Sequence, residues 1–253
     1  MTAYLPFNLS LLHEGEERTR QDALDLVAPN LRLQLHLKAV EAAMLLADTL
    51  RQLPNEDEDF KVFQLLGLRL FNAFGSSVKL LMAGYFQNGA LILRDVLETL
   101  FLLDLLSHDR ALVSQWRIAD RKVRKQLFSP AAVRKTLDDR DGLKTRKREK
   151  QYVMFSELAG HPSMQSAHML RPQKDADAVI GPFMVARTLE ATLTEAGRLA
   201  VQIGELLDAL FPKTWEHGFE AQRTFAIAKR EWFKEFYPHL LNRGKAGPGA
   251  GSG

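Results

Sequence analysis

Apolar residues recur at every third or fourth position along most of the chain, which is the spacing of an amphipathic helix. The stretch at 31–53, which Asn30 can cap, carries Leu37, Val40 and Met44 on one such stripe. Similar runs or helix caps predict further helices at 60–86, 90–106 and 109–128, from 130 onwards, and at 144–158, 182–211 and 215–237. No segment alternates between apolar and polar residues as a strand does. The pattern therefore predicts an all-α protein, a single compact bundle of about eight or nine helices.

Two segments depart from this pattern. Residues 160–177 contain three helix breakers, Gly160, Pro162 and Pro172, and form the one long loop predicted inside the domain. Loops of that length are uncommon and are often functional or mobile. Residues 243–253 are rich in glycine, which is typical of flexible tails. We therefore predict one domain over 1–242 and a flexible tail after it.

The predicted helix at 90–106 is apolar nearly all round, which favours a central, buried position. The most apolar stretch, 71–106, is interrupted by five charged residues, whereas a membrane span needs about 20 residues with almost no charge. The N-terminus also lacks the pattern of a secretory signal peptide. We therefore expect a cytoplasmic protein without membrane contact. Its apolar helices favour a homo-oligomer, most simply a two-fold dimer.

Several chemistries are excluded by what the chain lacks. Cysteine is absent, which excludes a disulfide scaffold, a thiolate nucleophile and Cys-ligated zinc. There is no phosphate-binding G-x-x-x-x-G-K-[ST] loop. None of the seven histidines belongs to H-E-x-x-H or follows a glutamate by three residues, the spacings of zinc and di-iron sites. We therefore predict neither a metal ion nor an organic cofactor.

The first polar motif lies in the apolar helix at 90–106. Arg94 and Glu98 are four residues apart and share one helical face. A charge in such a helix needs a partner, because an uncompensated buried ion is strongly destabilising. Two interpretations follow. The pair fixes how helices pack, or it lines a pocket in which Arg94 binds an anion and Glu98 orients it or moves a proton.

The second polar motif, Y-x3-S-x4-H-P-S, begins at Tyr152. Tyr152 and Ser156 share a helical face, and Gly160 ends that helix. His161 then follows the helix, where an exposed imidazole is suited to act as a general acid or base. Alternatively, His161 caps the last helical carbonyl groups while Ser163 makes a local turn bond. A serine nucleophile at Ser156 is disfavoured, since the pattern G-x-S-x-G is absent.

An R-x3-E helix followed some fifty residues later by Y-x3-S-x4-H-P-S resembles a large family of uncharacterised, all-helical bacterial proteins, over about residues 60–210. More distantly, the chain is similar to the HEPN class, whose members often cleave RNA in toxin or abortive-infection systems, usually across a dimer. That class uses an R-x4-6-H motif on one helix, and no arginine here has a histidine at that spacing. The resemblance thus implies RNA cleavage only if Arg94 and His161 meet from separate helices.

Charge is distributed unevenly along the chain. The total is only +3, but residues 110–150 hold 14 basic and 5 acidic side chains, a local balance of +9. The densest cations are Arg121, Lys122, Arg124, Lys125, Lys144, Arg146, Lys147 and Arg148. Such a stripe can neutralise nucleic-acid phosphates, with Trp116 and Tyr152 as stacking partners. It is equally typical of a solvated surface or of a patch that meets an acidic protein.

Three functions follow from these motifs. The leading hypothesis is a binding or regulatory protein that meets RNA or an acidic protein partner through residues 110–150, with Arg94 and Glu98 structural. The second is a metal-independent, HEPN-like ribonuclease of a toxin or phage-defence type. In it His161 is the acid or base, Arg94 steadies the phosphate, and the remaining site residues are Glu98, Tyr152 and Ser156. The third is a sensor that binds a small anionic ligand in a pocket at Arg94.

Overall fold

The computed structural model describes residues 6–162, 164–173 and 175–239. Its α-helices are α1 (Phe7–Val27), α2 (Leu31–Arg51), α3 (Glu58–Met82), α4 (Phe86–His108), α5 (Ala111–Ile118), α6 (Arg121–Leu127), α7 (Pro130–Arg140), α8 (Lys147–Phe155), α9 (Ala186–Asp208) and α10 (Phe219–Phe236). A π-helical turn, Ser156–Gly160, follows α8, and 3-10 turns lie at Ser166–Leu170 and Glu216–Gly218. Since no strand occurs among the described residues, the predicted all-α bundle is confirmed. The predicted tail at 243–253 lies outside the described residues.

The core lies between α2, α3, α4, α9 and α10. Helix α2 packs against α3, α9 and α10, while α4 packs against α3, α9, α7 and α8. Helix α4 buries residues on several sides, and the side chains of Leu93, Leu97, Leu103 and Leu106 are inaccessible to solvent. The predicted central position of this helix is therefore confirmed.

One histidine, His36 of α2, lies inside this core and is 2% exposed. The Trp232 indole N–H donates to His36 Nδ1 at 2.9 Å, and Thr194 Oγ1 lies 3.3 Å from Nε2. The ring also stacks on Phe236, with 4.4 Å between ring centroids. Burial, and secondarily the charges of two nearby arginines, lower the pKa of His36 from 6.5 to about 4. The imidazole is therefore neutral in the folded protein at neutral pH.

The break between α3 and α4 comes earlier than predicted. The helices predicted at 60–86 and 90–106 place it at residues 87–89, but these residues belong to α4. The chain turns at Gly84, whose φ of +83° is in the left-handed region that favours glycine. A Cβ on Gly84 would also lie 2.5 Å from the carbonyl oxygen of Phe183. The backbone turn and the close approach of the segment before α9 both require glycine at this position.

The helices between α4 and α9 are shorter than predicted. The single helix expected at 109–128 divides into α5 and α6, because Asp120 caps α6 by accepting from the Val123 N–H at 2.8 Å. The helix expected at 144–158 begins at Lys147 and becomes π-helical after Phe155. Helix α1, which the pattern does not predict, has only a short apolar stripe; it buries Thr19, Ala23 and Val27.

Among the described helices, α3 is the one that is long and apolar enough to cross a membrane by length and composition alone. It packs against α2, α4 and α9. The core helix of a bundle meets the same criterion, so α3 is weak evidence for a membrane span.

Candidate functional site

The second polar motif is built on a change of helix type. Helix α8 ends at Phe155, and Ser156–Gly160 continues it as a π-helical turn, which accommodates an extra residue per turn. The His161 N–H donates to the Ser156 carbonyl at 3.0 Å and closes this turn. Turns of this type frequently occur at functional sites. Here the turn packs against α4.

Arg94 of α4 is the centre of the site. Its Nε donates to Ser156 Oγ at 2.9 Å, and its Nη2 donates to Tyr152 Oη. The same Nη2 lies 3.0 Å from Glu98 Oε1. That oxygen is fully buried and lies off the N–H direction, so the contact is an ion pair rather than a hydrogen bond. The structure therefore brings four of the five predicted catalytic residues together as the Arg94 cluster: Arg94, Glu98, Tyr152 and Ser156.

His161 is not part of the Arg94 cluster, but the residue before it in the chain, Gly160, contacts Arg94. A Cβ on Gly160 would lie 3.2 Å from Arg94 Cδ, so the Gly160 backbone packs directly on the Arg94 side chain. His161 itself is exposed, and its ring forms no hydrogen bond or ion pair with a described residue. Ser163, the last residue of the motif, lies outside the described residues. The structure thus places His161 beside the cluster and open to solvent.

Arg134 of α7 is part of this site, although sequence reasoning does not identify it. Its guanidinium carbon lies 3.8 Å from the centroid of the Tyr152 ring, and that of Arg94 lies 4.8 Å from the same centroid. Arg134 Nη1 is buried, with no hydrogen-bond partner among the described residues. The available sequence signal was its position between the apolar, buried Val133 and Leu137. Because two guanidinium groups lie over Tyr152, they compete with any nucleic-acid base for that ring.

The contacts of the Arg94 cluster limit its chemistry. The Nε and Nη2 atoms of Arg94 already meet Ser156, Tyr152 and Glu98. In the described part of the chain, Ser156 Oγ contacts a cation and no base, and activation of a serine requires a base. The cluster is therefore suited to fixing α8 and the π-helical turn on α4.

A second ion cluster lies further along α4. Arg140 donates to Asp104 at 2.8 and 3.1 Å and to Asp141 at 2.6 Å. Arg148 donates to Asp138 at 2.8 Å and also to Asp141. The hydrogen bond from Arg140, followed by that from Arg148, holds the pKa of the Asp141 carboxyl well below its usual range. Arg148, with a side chain only 16% exposed, thus belongs to this Asp104 cluster of Asp104, Asp138, Arg140, Asp141 and Arg148.

The remaining cations predicted to bind nucleic acid are exposed. Seven cations at 121–150 are exposed and form no ion pair with a described residue, and we call them the basic surface: Arg121, Lys122, Arg124, Lys125, Lys144, Lys147 and Lys150. Arg146 is exposed too, but it lies 3.4 Å from Glu149. The acidic residues at 110–150 are all engaged in a helix cap or an ion pair: Asp120, Asp138, Asp139, Asp141 and Glu149. Asp120, which caps α6, is the one carboxylate of this described stretch without a cation partner, so the basic surface keeps most of its positive charge unpaired.

The fold and the site together define an all-α bundle with two ion clusters on its central helix and a separate basic surface. Within the described ranges, no group of three or more His, Asp or Glu side chains is placed to hold a metal ion. No family model matches the chain, and neither a curated protein nor a solved structure is significantly similar to it. Its function is therefore argued from these geometric features.

Proposed function

We propose that this protein is a cytoplasmic RNA-binding protein that uses the basic surface, and that the Arg94 cluster is structural. The proposal rests on an imbalance between cations and carboxylates at residues 110–150, since many of the cations have no described carboxylate partner. Seven exposed cations lack a carboxylate partner in the described chain, while every acidic residue of the same stretch is already engaged. The positive potential of this surface is therefore not cancelled locally.

The arrangement of the basic surface suits a phosphate backbone. Four of its cations are on α6, a helix none of whose described residues is buried, so the core does not constrain their side chains. Helix α6 packs on α7, and α7 on α8, which places the other cations on neighbouring elements. Cations that neutralise successive phosphates release condensed counterions, and this makes binding strongly dependent on salt.

The test is binding of fluorescently labelled single-stranded RNA, followed by anisotropy with EDTA at about 50 and 200 mM salt. The first variant replaces the four cations of α6, Arg121, Lys122, Arg124 and Lys125, with alanine. The matched control replaces four exposed cations that have no ion pair in the described chain and lie beyond α9, namely Lys213, Arg223, Arg230 and Lys234. Both variants change the net charge equally.

We expect the α6 variant to bind RNA at least tenfold more weakly and to reduce the salt slope by about 3, since each phosphate contact in single strands contributes about 0.7. The control variant should bind within about threefold of the parent protein. Equal losses in the two variants would show that net charge, and not the basic surface, drives binding. Absence of RNA binding by the parent protein would overturn the proposal and leave an acidic protein as the partner.

RNA cleavage is the second candidate, and the contact of Gly160 with Arg94 favours it. That contact places the backbone of His161, whose side chain is exposed, next to Arg94, and Arg134 lies over the same Tyr152 ring with no partner for its Nη1 in the described chain. In this case His161→Ala should abolish cleavage in EDTA while leaving RNA binding within about twofold, because general acid–base catalysis contributes about 10²–10⁴ in rate. The integrity of the RNA on a gel, in the same samples used for anisotropy, checks this. RNA that stays whole with the parent protein contradicts cleavage.

A further inference from the structure

A cavity near the described site lies between α8, α9 and residues 168–173, and its volume is about 860 Å³. Ligand cavities usually measure about 300–1,000 Å³. Much of its wall is apolar and comes from α8, the following turns and the start of α9: Met154, Phe155, Leu158, Met169 and Val185. The cavity is thus large enough, and apolar enough, to enclose the body of a small organic molecule.

Arg171 gives this cavity a specific polar group. The Arg171 side chain lines the cavity, and its Nε, which is shielded from solvent, donates to no described residue. Arginine stays charged in proteins, and a buried charged donor without an acceptor is strongly destabilising. Arg171 also has no ion pair with a described carboxylate. An anion inside the cavity would therefore supply the counterion that the described chain does not give to the Arg171 guanidinium.

The charges around Arg171 also favour an anionic ligand. His168 and Arg187 also line the cavity, and neither forms an ion pair with a described residue. Arg198 lines it too, but is neutralised by Glu195 at 2.5 Å. Glu190 is the remaining carboxylate of the lining. Among the described lining residues, two arginines without an ion pair, Arg171 and Arg187, therefore outnumber one carboxylate without an ion pair, Glu190.

Described residues on both sides of Arg171 are attached to the fold. Before Arg171 in the chain, the His161 N–H closes the π-helical turn by donating to the Ser156 carbonyl. Further along, the Val179 N–H donates to the Leu170 carbonyl at 2.9 Å, and Phe183 packs edge-on against Phe86 with 5.7 Å between ring centroids. These contacts hold the wall in place without a ligand.

We propose that this cavity binds a small organic anion, a carboxylate or phosphate on an apolar body, with Arg171 as the principal contact of the anionic group. The planar guanidinium fork matches both kinds of oxyanion. This site differs from the Arg94 cluster, because Arg94 already has Glu98 as its counterion whereas Arg171 has no carboxylate partner in the described chain. The inference does not rest on RNA binding, since the basic surface contributes none of these residues.

The probe is 8-anilinonaphthalene-1-sulfonate, an aromatic sulfonate whose fluorescence rises in apolar sites. N-phenyl-1-naphthylamine has a matching aromatic body without the anionic group and serves as the neutral probe. We expect Arg171→Gln to weaken binding of the sulfonate by roughly tenfold or more, because a charge-assisted contact is lost. Binding of the neutral probe should stay within about twofold, which also shows that the cavity is intact.

Controls and competitors separate the outcomes. Arg223→Gln removes an exposed arginine of α10, far along the chain from the cavity, and should leave both probes unaffected. Displacement of the sulfonate by octanoate indicates a carboxylate ligand, and displacement by adenosine monophosphate indicates a phosphate ligand. Equal weakening by Arg171→Gln and Arg223→Gln would overturn the proposal. So would displacement by neither competitor.

Discussion

The core helices and the helices α5–α8 have the same helical period, but they bury very different amounts of their surface. Helix α9 buries eleven residues, among them Leu193, Leu199 and Ile203. In the described chain α8 buries only Phe155, and α6 buries none of its residues. The α5–α8 region is attached to α4 through the Arg94 cluster, the Asp104 cluster and a few apolar contacts. The buried core and the unpaired cations therefore lie in different regions of the molecule, and mutations in the two regions should have different consequences.

The largest effect is expected in the core. Phe225 of α10 is 1% exposed, and its ring occupies the space that a Cβ on Gly204 of α9 would need. We expect Phe225→Ala to lower the free energy of unfolding by about 4 kcal/mol, because apolar burial is lost and a cavity remains. Urea unfolding measures this value. Leu127→Ala on α6, where the side chain is 41% exposed, is the control. A loss of equal size there would contradict the comparison.

The buried His36 should make the core sensitive to acid. Its folded pKa of about 4 lies below the ordinary value of 6.5, so the folded protein binds fewer protons than the unfolded chain between these values. This contribution to stability is fully present above pH 6.5 and is lost as the pH falls towards about 4. We expect the free energy of unfolding to fall by about 3 kcal/mol over that window.

Urea unfolding at a series of pH values checks this prediction. His36→Asn is the matched variant, since its amide oxygen can still accept from Trp232 but does not titrate in this range. Most of the pH dependence between 6.5 and 4 should disappear in the variant. An unchanged dependence would assign the effect to other groups.

A smaller difference should separate the two ion clusters. We expect Arg94→Met to cost about 2 kcal/mol, because the buried Glu98 oxygen loses its cation. Arg148→Met should cost about 1 kcal/mol, because Arg140 continues to neutralise the Asp104 cluster. Urea unfolding of both variants measures the difference.

The double variant Arg94→Met/Glu98→Leu tests the cause. It should recover part of the stability lost in Arg94→Met, since the uncompensated carboxylate is removed. The single variants Arg94→Met and Glu98→Leu are measured beside it. If the stability lost in the double variant equals the sum of the losses in the two single variants, the pair is not coupled and the Arg94 cluster does not act as a unit.

The smallest effect is expected on α6. Replacing Arg121, Lys122, Arg124 and Lys125 with alanine should change the free energy of unfolding by less than about 0.5 kcal/mol, because these exposed side chains have no ion pair in the described chain. The same urea titration measures it. A loss of more than about 1 kcal/mol would show that these cations support the fold, and the RNA experiment would then need single substitutions instead.

The arrangement of helices was largely predictable from the sequence, and the exceptions have local causes. Asn30 caps α2 as its position predicts, and Ser129 caps α7 directly before the helix predicted from residue 130 onwards. The α3–α4 turn was misplaced because Asn88 and Gly89 are typical turn residues. The correct turn, at Gly84, depends partly on its contact with Phe183, which is distant in the chain.

The candidate site was predicted in part. The motifs R-x3-E and Y-x3-S-x4-H selected Arg94, Glu98, Tyr152 and Ser156, and these residues do meet. The pattern of charges did not distinguish Arg148, which is enclosed in an ion cluster, from the exposed cations beside it. It also did not single out Arg134, since a dense basic stretch conceals one cation that turns inwards.

The sequence by itself determined the helical class and the central place of α4, because periodicity and hydrophobicity are local properties of the chain. Only the tertiary structure decided which charges are paired, which histidine is buried, and where Arg171 lies without a carboxylate partner in the described chain. The physical reason is that pairing and desolvation depend on distances between helices. Residues separated by tens of positions set those distances, and the spacing of residues along one helix does not reveal the distances between helices.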